Sequence, residues 1–124
     1  MEHPALRGRS ILVVENELLI AMDIVRALED AGANATMTTT ARHALLLIEH
    51  DGLAGAIMDH GLADGDSTNV CARLKERGIP YVSYSGYEPV KGAGVDAPHI
   101  MKPASMGVLM SAMEKVLVGS PRVS

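Results

Sequence analysis

Four short stretches of this 124-residue chain carry side chains able to do chemistry on a charged group: Glu15-Asn16-Glu17, Asp59, Ser85 and Lys102. Clustered carboxyl oxygens favour a hard divalent cation, and Mg²⁺ is held through few carboxylates, with water and phosphate oxygens completing its shell. A carboxylate beside such a cation can attack phosphorus as a covalent nucleophile. A lysine ammonium and a hydroxyl on the far side can hold the oxygens of the group being transferred. The sequence has no H-E-x-x-H pair and no G-x-x-x-x-G-K-[ST] loop, so a zinc hydrolase and a P-loop nucleotide enzyme have no motif to rest on.

This chemistry requires that the four stretches share one edge of the fold. Ile11-Leu12-Val13-Val14 is a short, uninterrupted, β-branched run, the pattern of a strand buried on both faces of a parallel sheet. A helix follows from Glu17 to about Ala31, with Ile20, Ile24, Ala27, Leu28 and Ala31 on one face; Asn16 is its expected N-cap and Gly32 its stop. Residues 33–38 read as a weaker strand. A second helix starts at Thr39 or Thr40 and runs to His50. Ala54 to Met58 is a third strand ending at Asp59, followed by a Gly- and Asp-built loop, Gly61 to Asp66. Ser67 or Thr68 opens a third helix through Arg77, with Val70, Cys71 and Leu74 inward and Gly78 closing it. Pro80 to Tyr84 is a fourth strand and Pro98 to Met101 a fifth. Between them, Pro89 and the glycines at 86, 92 and 94 leave any helix short, and high mobility is expected from Tyr87 to Val95. Ser105 to Val118 is the strongest helical pattern, with Met106, Leu109, Met110, Met113, Val116 and Leu117 in one stripe.

Strand and helix alternating on this spacing predict an α/β fold: a doubly wound, five-stranded parallel sheet with helices on both faces, in three α/β/α layers. The domain spans residues 10–118, with an extension at 1–9 and a polar tail at 119–124. In such a sheet ligands bind beyond the carboxyl ends of the strands. That edge is where Glu15, Asp59, Ser85 and Lys102 each fall.

Composition narrows the function classes. Hydrophobic residues make up 48% of the chain, which excludes wholesale disorder. A net charge of -4 and the absence of Trp and Phe leave no basic footprint and little stacking surface for nucleic acid. One cysteine, Cys71, excludes an internal disulfide framework, and it reads as a small core residue. No apolar run reaches the ~20 residues of a membrane span, and the first residues do not form a signal peptide, so a cytoplasmic domain is expected.

The ordered set Ile11-Leu12-Val13-Val14-Glu15-Asn16-Glu17, Asp59 at a strand end, Ser85-Gly86 and Lys102-Pro103 resembles the receiver domains of two-component response regulators, over about residues 10 to 118. The resemblance implies a flavodoxin-like, CheY-like fold. It implies that Asp59 is the phosphoacceptor, taking a phosphoryl group from a phosphohistidine on a sensor histidine kinase or a histidine phosphotransfer protein. It implies that Glu15 and Asn16 place Mg²⁺, with Asp59 and the backbone carbonyl of Gly61 as further ligands. Ser85 matches the Thr or Ser whose hydroxyl turns toward the phosphoryl group. Lys102 matches the family lysine, whose bond to the following proline is usually cis. Such a domain is a switch that takes part in its own phosphoryl transfer and slow hydrolysis, not an enzyme with a separate substrate. Pairing of two copies through the last strand and helix is frequent in the family.

Three departures stand out. Asn16 occupies a position where an acid is usual, and Glu17, placed in the first helix, is not expected to compensate. His99 stands where many receivers carry a switch aromatic. The fourth helix is broken by Gly and Pro, and the segment Tyr84-Ser85-Gly86-Tyr87 is similar to that of an atypical subgroup that lacks this aromatic and has a mobile fourth-helix region, in which Tyr84 or Tyr87 could take part of the switch role. His60, next to the nucleophile, is expected to point outward at the site mouth. With nothing after Val118 large enough for an output domain, output is expected from binding a downstream protein partner, from feeding a relay or from draining phosphate from a kinase. Two alternatives remain. One is a receiver-fold interaction module independent of phosphate. The other is an enzyme on a similar fold, against which Gly61 stands where an aspartyl-phosphate hydrolase needs a second acid.

Overall fold

A computed structural model of the chain describes residues 3–62, 64–86 and 97–119, with the side chains of residues 65 and 66 left aside. The elements run β1 (Ser10–Val14), α1 (Leu18–Asp30), β2 (Asn34–Thr38), α2 (Ala41–Ile48), β3 (Leu53–Met58), α3 (Thr68–Glu76), β4 (Tyr81–Ser85), β5 (His99–Met101) and α4 (Met106–Gly119). The five strands form one sheet in the order β2-β1-β3-β4-β5, with every neighbouring pair parallel. The segment expected to hold a further helix, residues 87–96, lies outside the described residues, and so do Tyr87, Val95 and the mobility expected there.

Alternation along each strand sends successive side chains to opposite faces. Ile11 and Val13, Ile57, Val82 and Tyr84 face one way and pack on Ala21, Ile24 and Leu28 of α1 and Leu109, Met110 and Met113 of α4. Leu12 and Val14, Ala56, Met58 and Tyr81 face the other way, onto Ala44 and Ile48 of α2 and Val70, Cys71 and Leu74 of α3. The uninterrupted apolar runs of β1 and β3 are the consequence of this double burial. Helix α4 lies so close to β3 that a Cβ on Gly55 would stand 2.8 Å from Met113 Cε and 3.3 Å from the Pro80 carbonyl oxygen. Gly32 takes a φ of 92° just past α1, the left-handed turn that ends a helix most cheaply when there is no Cβ.

Three details differ from the sequence pattern. The N-cap of α1 is Glu17, not Asn16, in extended conformation (φ −94°, ψ 114°) and without a side-chain capping bond. Glu17 therefore lies outside the helix. The stretch 61–66 is not an open loop: Gly61–Leu62 pairs with Gly65–Asp66 in a two-rung antiparallel hairpin. The residues ahead of β1 are part of the packed unit. Pro4–Leu6 forms a single 3₁₀ turn, Leu6 is fully buried, and the Ala5 amide donates to Glu114 Oε2 of α4 at 2.8 Å. Elsewhere the pattern holds: Thr40 caps α2 by accepting from the His43 amide, and no described helix is long and apolar enough to cross a membrane.

Candidate functional site at the carboxyl edge of the sheet

Four of the five strands each hand one chemical group to the same rim. Glu15 follows β1, its amide donating to the Thr38 carbonyl at 3.0 Å so that the ladder runs one residue past the strand. Asp59 follows β3 in the same manner, its amide donating to Val14 O at 2.8 Å. Lys102 follows β5 and donates its amide to Ser85 O at 3.0 Å, and Ser85, the last residue of β4, is fully buried. The register of a parallel sheet, fixed by side chains far from the rim, thus sets the separation of the reactive groups.

Lys102 Nζ is the centre of the arrangement. It lies 3.0 Å from Glu15 Oε2, 3.6 Å from Asp59 Oδ2 and 3.6 Å from Glu17 Oε1, and 5.5 Å from the centroid of the Tyr84 ring. Glu15 is 1% exposed and Asp59 5%. Backbone donors complete the carboxylates: Glu17 N–H to Glu15 Oε2 at 3.0 Å, Asn16 N–H to Asp59 Oδ2 at 3.3 Å, and Gly61 N–H to Asp59 Oδ1 at 3.1 Å. Burial pushes the Glu15 carboxyl up to about 6, and the Asp59 charge pushes the same way against the Glu17 amide and Lys102. For Lys102, burial works to lower the pKa, but the bond to Glu15 and the charges of Asp59, Glu15 and Glu17 outweigh it and hold it above its ordinary value. The Lys102-Pro103 peptide is cis, as the resemblance implies.

Three carboxylates around one ammonium leave a formal charge of −2 at the rim. The donor set suits Mg²⁺, which takes few carboxylates and fills its shell with water and phosphate oxygens. Among the described residues no three His, Cys, Asp or Glu side chains form a ready cage for a metal, and Lys102 sits where the acids converge. Glu15 and Asp59 are the buried carboxylates able to offer oxygens to such an ion, and Gly61 meets the site through its amide, which donates to Asp59. Asn16 meets Asp59 through its backbone amide while the residue is exposed.

His60 does not point outward. Two residues beyond Met58, it falls on the α3 side of the sheet and is 7% exposed. Its Nδ1 bonds the hydroxyl of Ser67, which is thereby drawn away from capping α3, and its Nε2 meets Ser83 Oγ at 2.6 Å. Ser83 Oγ also meets His99 Nδ1 at 2.9 Å. One hydroxyl hydrogen thus serves two imidazoles, so one ring must donate to Ser83 and the other accept. His99 Nε2 is buried without a partner among the described residues. Burial, helped by the charge of His99, lowers the pKa of His60. Tyr84 lies on the opposite face, 4% exposed, its hydroxyl accepting from the Ala104 amide at 3.3 Å, so the structure does not bring it to His99. Tyr87 lies outside the described residues.

Sequence reasoning missed the roles of Glu17, His60 and Ser83. The period of 2 carried past the end of β3 could have placed His60 inside, and the same period within β4 could have placed Ser83 there; nothing in residue spacing alone showed Glu17 turning back to Lys102.

No family model matches the sequence, and no curated protein matches it. Solved structures do. A CheY-like response regulator receiver domain protein from Methanospirillum hungatei JF-1 superposes with a TM-score of 0.82 at 26% identity, covering 91% of this chain and 96% of that one. A response regulator receiver protein from Sinorhizobium medicae WSM419 gives 0.84 at 23% identity, covering 94% and 99%. A response regulator protein from Burkholderia pseudomallei, solved with a phosphorylated aspartic acid, a calcium ion and citrate, gives 0.77 at 19% identity, covering 90% of this chain and 70% of that one.

Proposed function

We propose, for a chain that is a CheY-like receiver domain, that it accepts a phosphoryl group on Asp59 with Mg²⁺ bound beside it and thereby switches the binding of a protein partner. The observation that carries this reading is the convergence of buried Glu15 and Asp59 on Lys102 Nζ, at 3.0 and 3.6 Å, on one rim of the sheet. The donor is a phosphohistidine of a sensor histidine kinase or a histidine phosphotransfer protein. An Asp59 carboxylate oxygen forms a bond to phosphorus, the P–N bond breaks, and its electron pair returns to the imidazole nitrogen, which takes up a proton. Such transfers ask a protein for position and charge rather than for covalent chemistry. The backbone amides of Asn16 and Gly61 orient the Asp59 oxygens, and Lys102 and Ser85 stand to hold the phosphoryl oxygens. Mg²⁺, when bound, supplies neutralisation of the phosphoryl charge. The phosphorylated aspartic acid and calcium ion of the Burkholderia pseudomallei neighbour support the same chemistry on this fold. The chain acts in the cytoplasm and turns over no separate substrate.

The test is incubation with acetyl phosphate and Mg²⁺ followed by mass spectrometry. The expected result is a gain of one phosphoryl group, abolished in Asp59→Asn with the fold intact by circular dichroism. Asn16, exposed where an acid is usual, favours the second reading: an interaction module that works without phosphate. No mass gain in any Mg²⁺ concentration would decide for that module.

A further inference from the structure

The rim contains a carboxylate that the acidic pair Glu15-Asn16 does not account for. We infer that Glu17 supplies the negative charge that Asn16 leaves out, so that the cation is drawn to a site whose outer acid has moved one residue along the chain. The inference rests on the reading of Glu15 and Asp59 as cation-holding residues and adds to it a role for an exposed neighbour.

Three observations carry it. Glu17 precedes α1 in extended conformation, so its side chain leaves the backbone before the helix can carry it away. Its amide is tied to Glu15 Oε2 at 3.0 Å, which folds residues 15–17 into a tight bend and sets Glu17 over the rim. Its Oε1 then lies 3.6 Å from Lys102 Nζ, which is itself 3.6 Å from Asp59 Oδ2, so that carboxylate stands within about 7 Å of the nucleophile. Residue 16, by contrast, contributes a backbone amide to Asp59 and an exposed, uncharged side chain. The charge at this edge is thus carried by positions 15, 17 and 59.

Glu17 is 63% exposed, so its effect is a field across solvent rather than a bond. A carboxylate about 7 Å from a divalent cation in water-like dielectric changes its affinity roughly five- to tenfold. Screening shortens that reach from about 30 Å at 0.01 M salt to about 3 Å at 1 M.

The experiment is calorimetric titration of the whole chain with Mg²⁺ alone, at constant ionic strength. Glu17→Gln is expected to weaken binding roughly fivefold at 0.01 M salt, and less than twofold at 1 M. Asn16→Asp should tighten it, and the double variant Asn16→Asp/Glu17→Gln should return it to within about twofold of the parent, because the charge has only been moved. Glu17→Gln binding as tightly as the parent at 0.01 M overturns the inference alone. A loss that the double variant does not restore, or that persists at 1 M, overturns the role of charge. A parent chain that takes up no Mg²⁺ overturns the reading of the site and this inference together.

Discussion

Replacing Lys102 by Met removes the ammonium and keeps most of the side-chain volume. The side chain is 15% exposed and its Nζ touches two buried carboxylates, so the substitution strands Glu15 and Asp59 without their shared counter-charge. Removing one member of a buried ion pair typically costs ~3–5 kcal/mol. Here the cost has a ceiling, because Glu15 can escape by taking a proton. With its pKa at about 6, protonation at pH 8 costs about 2.7 kcal/mol, or about 2 after discounting for solvent at the open rim. Asp59 adds about 1 kcal/mol for its weaker, longer contact. The expected loss at pH 8 without Mg²⁺ is therefore about 3 kcal/mol. At pH 5 Glu15 is already mostly protonated in the parent, and the loss falls to about 1.

The assay is urea unfolding followed by far-ultraviolet circular dichroism, with chelator present, at both pH values and for both proteins. Adding Mg²⁺ at pH 8 should recover part of the loss, since the acids still converge there. Equal destabilisation at pH 5 and pH 8 would refute the reasoning, because it would locate the cost in packing rather than in the stranded charge.

Other outcomes are fixed by other parts of the structure. Leu6→Ala should cost about 2–5 kcal/mol in the same unfolding assay, since Leu6 is fully buried against the core; a loss under about 1 would mean that the segment ahead of β1 is not part of the folding unit. Ser83→Ala should cost about 2–4 kcal/mol, because it leaves nitrogens of His60 and His99 buried without their shared hydroxyl, whereas Ser83→Thr keeps the bonds; equal losses in the two variants would contradict this. The two perturbed groups pull the pH profile of the Mg²⁺-free protein in opposite directions. Glu15, raised from 4.5 to about 6, contributes stability at low pH that is lost as pH rises between those values. His60, lowered from 6.5, contributes stability above about 6.5 that is lost as pH falls below it. Glu15→Gln should remove the first slope and leave the second, and a profile unchanged by that substitution would show that Glu15 does not titrate there.

How much of this was legible in the sequence depends on whether a residue's position follows from a period. The runs Ile11 to Val14 and Ala54 to Met58 place Glu15 and Asp59 at strand ends with no ambiguity, because a strand buried on both faces has one reading and one exit. Lys102 follows in the same way from the strand it ends, and the stripe from Met106 to Met113 fixes α4. Glu17 was not legible, because helix periodicity cannot tell a cap from a first turn. One residue of error at that boundary moves its carboxylate from the helix surface to the rim. His60 was not legible from its charge either. A histidine beside a nucleophile suggests exposure, yet the pleat carried past Met58 sends it inward to Ser67 and Ser83. Leu6 is not legible in the sequence because a single apolar residue has no period at all; only its burial against the core shows that it belongs there.

The position of Glu17 and the raised pKa of Glu15 bear on the same rim, the first through charge beside Lys102 and the second through burial. A rim that held only the acids it needed to balance Lys102 would be neutral and indifferent to a cation. This rim instead holds two acids beyond balance, and burial makes one of them costly to ionise. The folded state therefore carries an unfavourable charge that protons relieve below about pH 6, and the proposed divalent cation would relieve it above that pH. Whatever binds the folded rim but not the unfolded chain adds its binding free energy to stability. Affinity for the cation and strain in its absence are thus one quantity seen from two sides. On the proposed reading, a substitution that relaxes the cation-free protein by removing an acid, such as Glu15→Gln, should also weaken Mg²⁺ binding. If Glu15→Gln stabilised the chain and left Mg²⁺ affinity intact, the excess charge would lie elsewhere, and the rim would not be built to receive a cation.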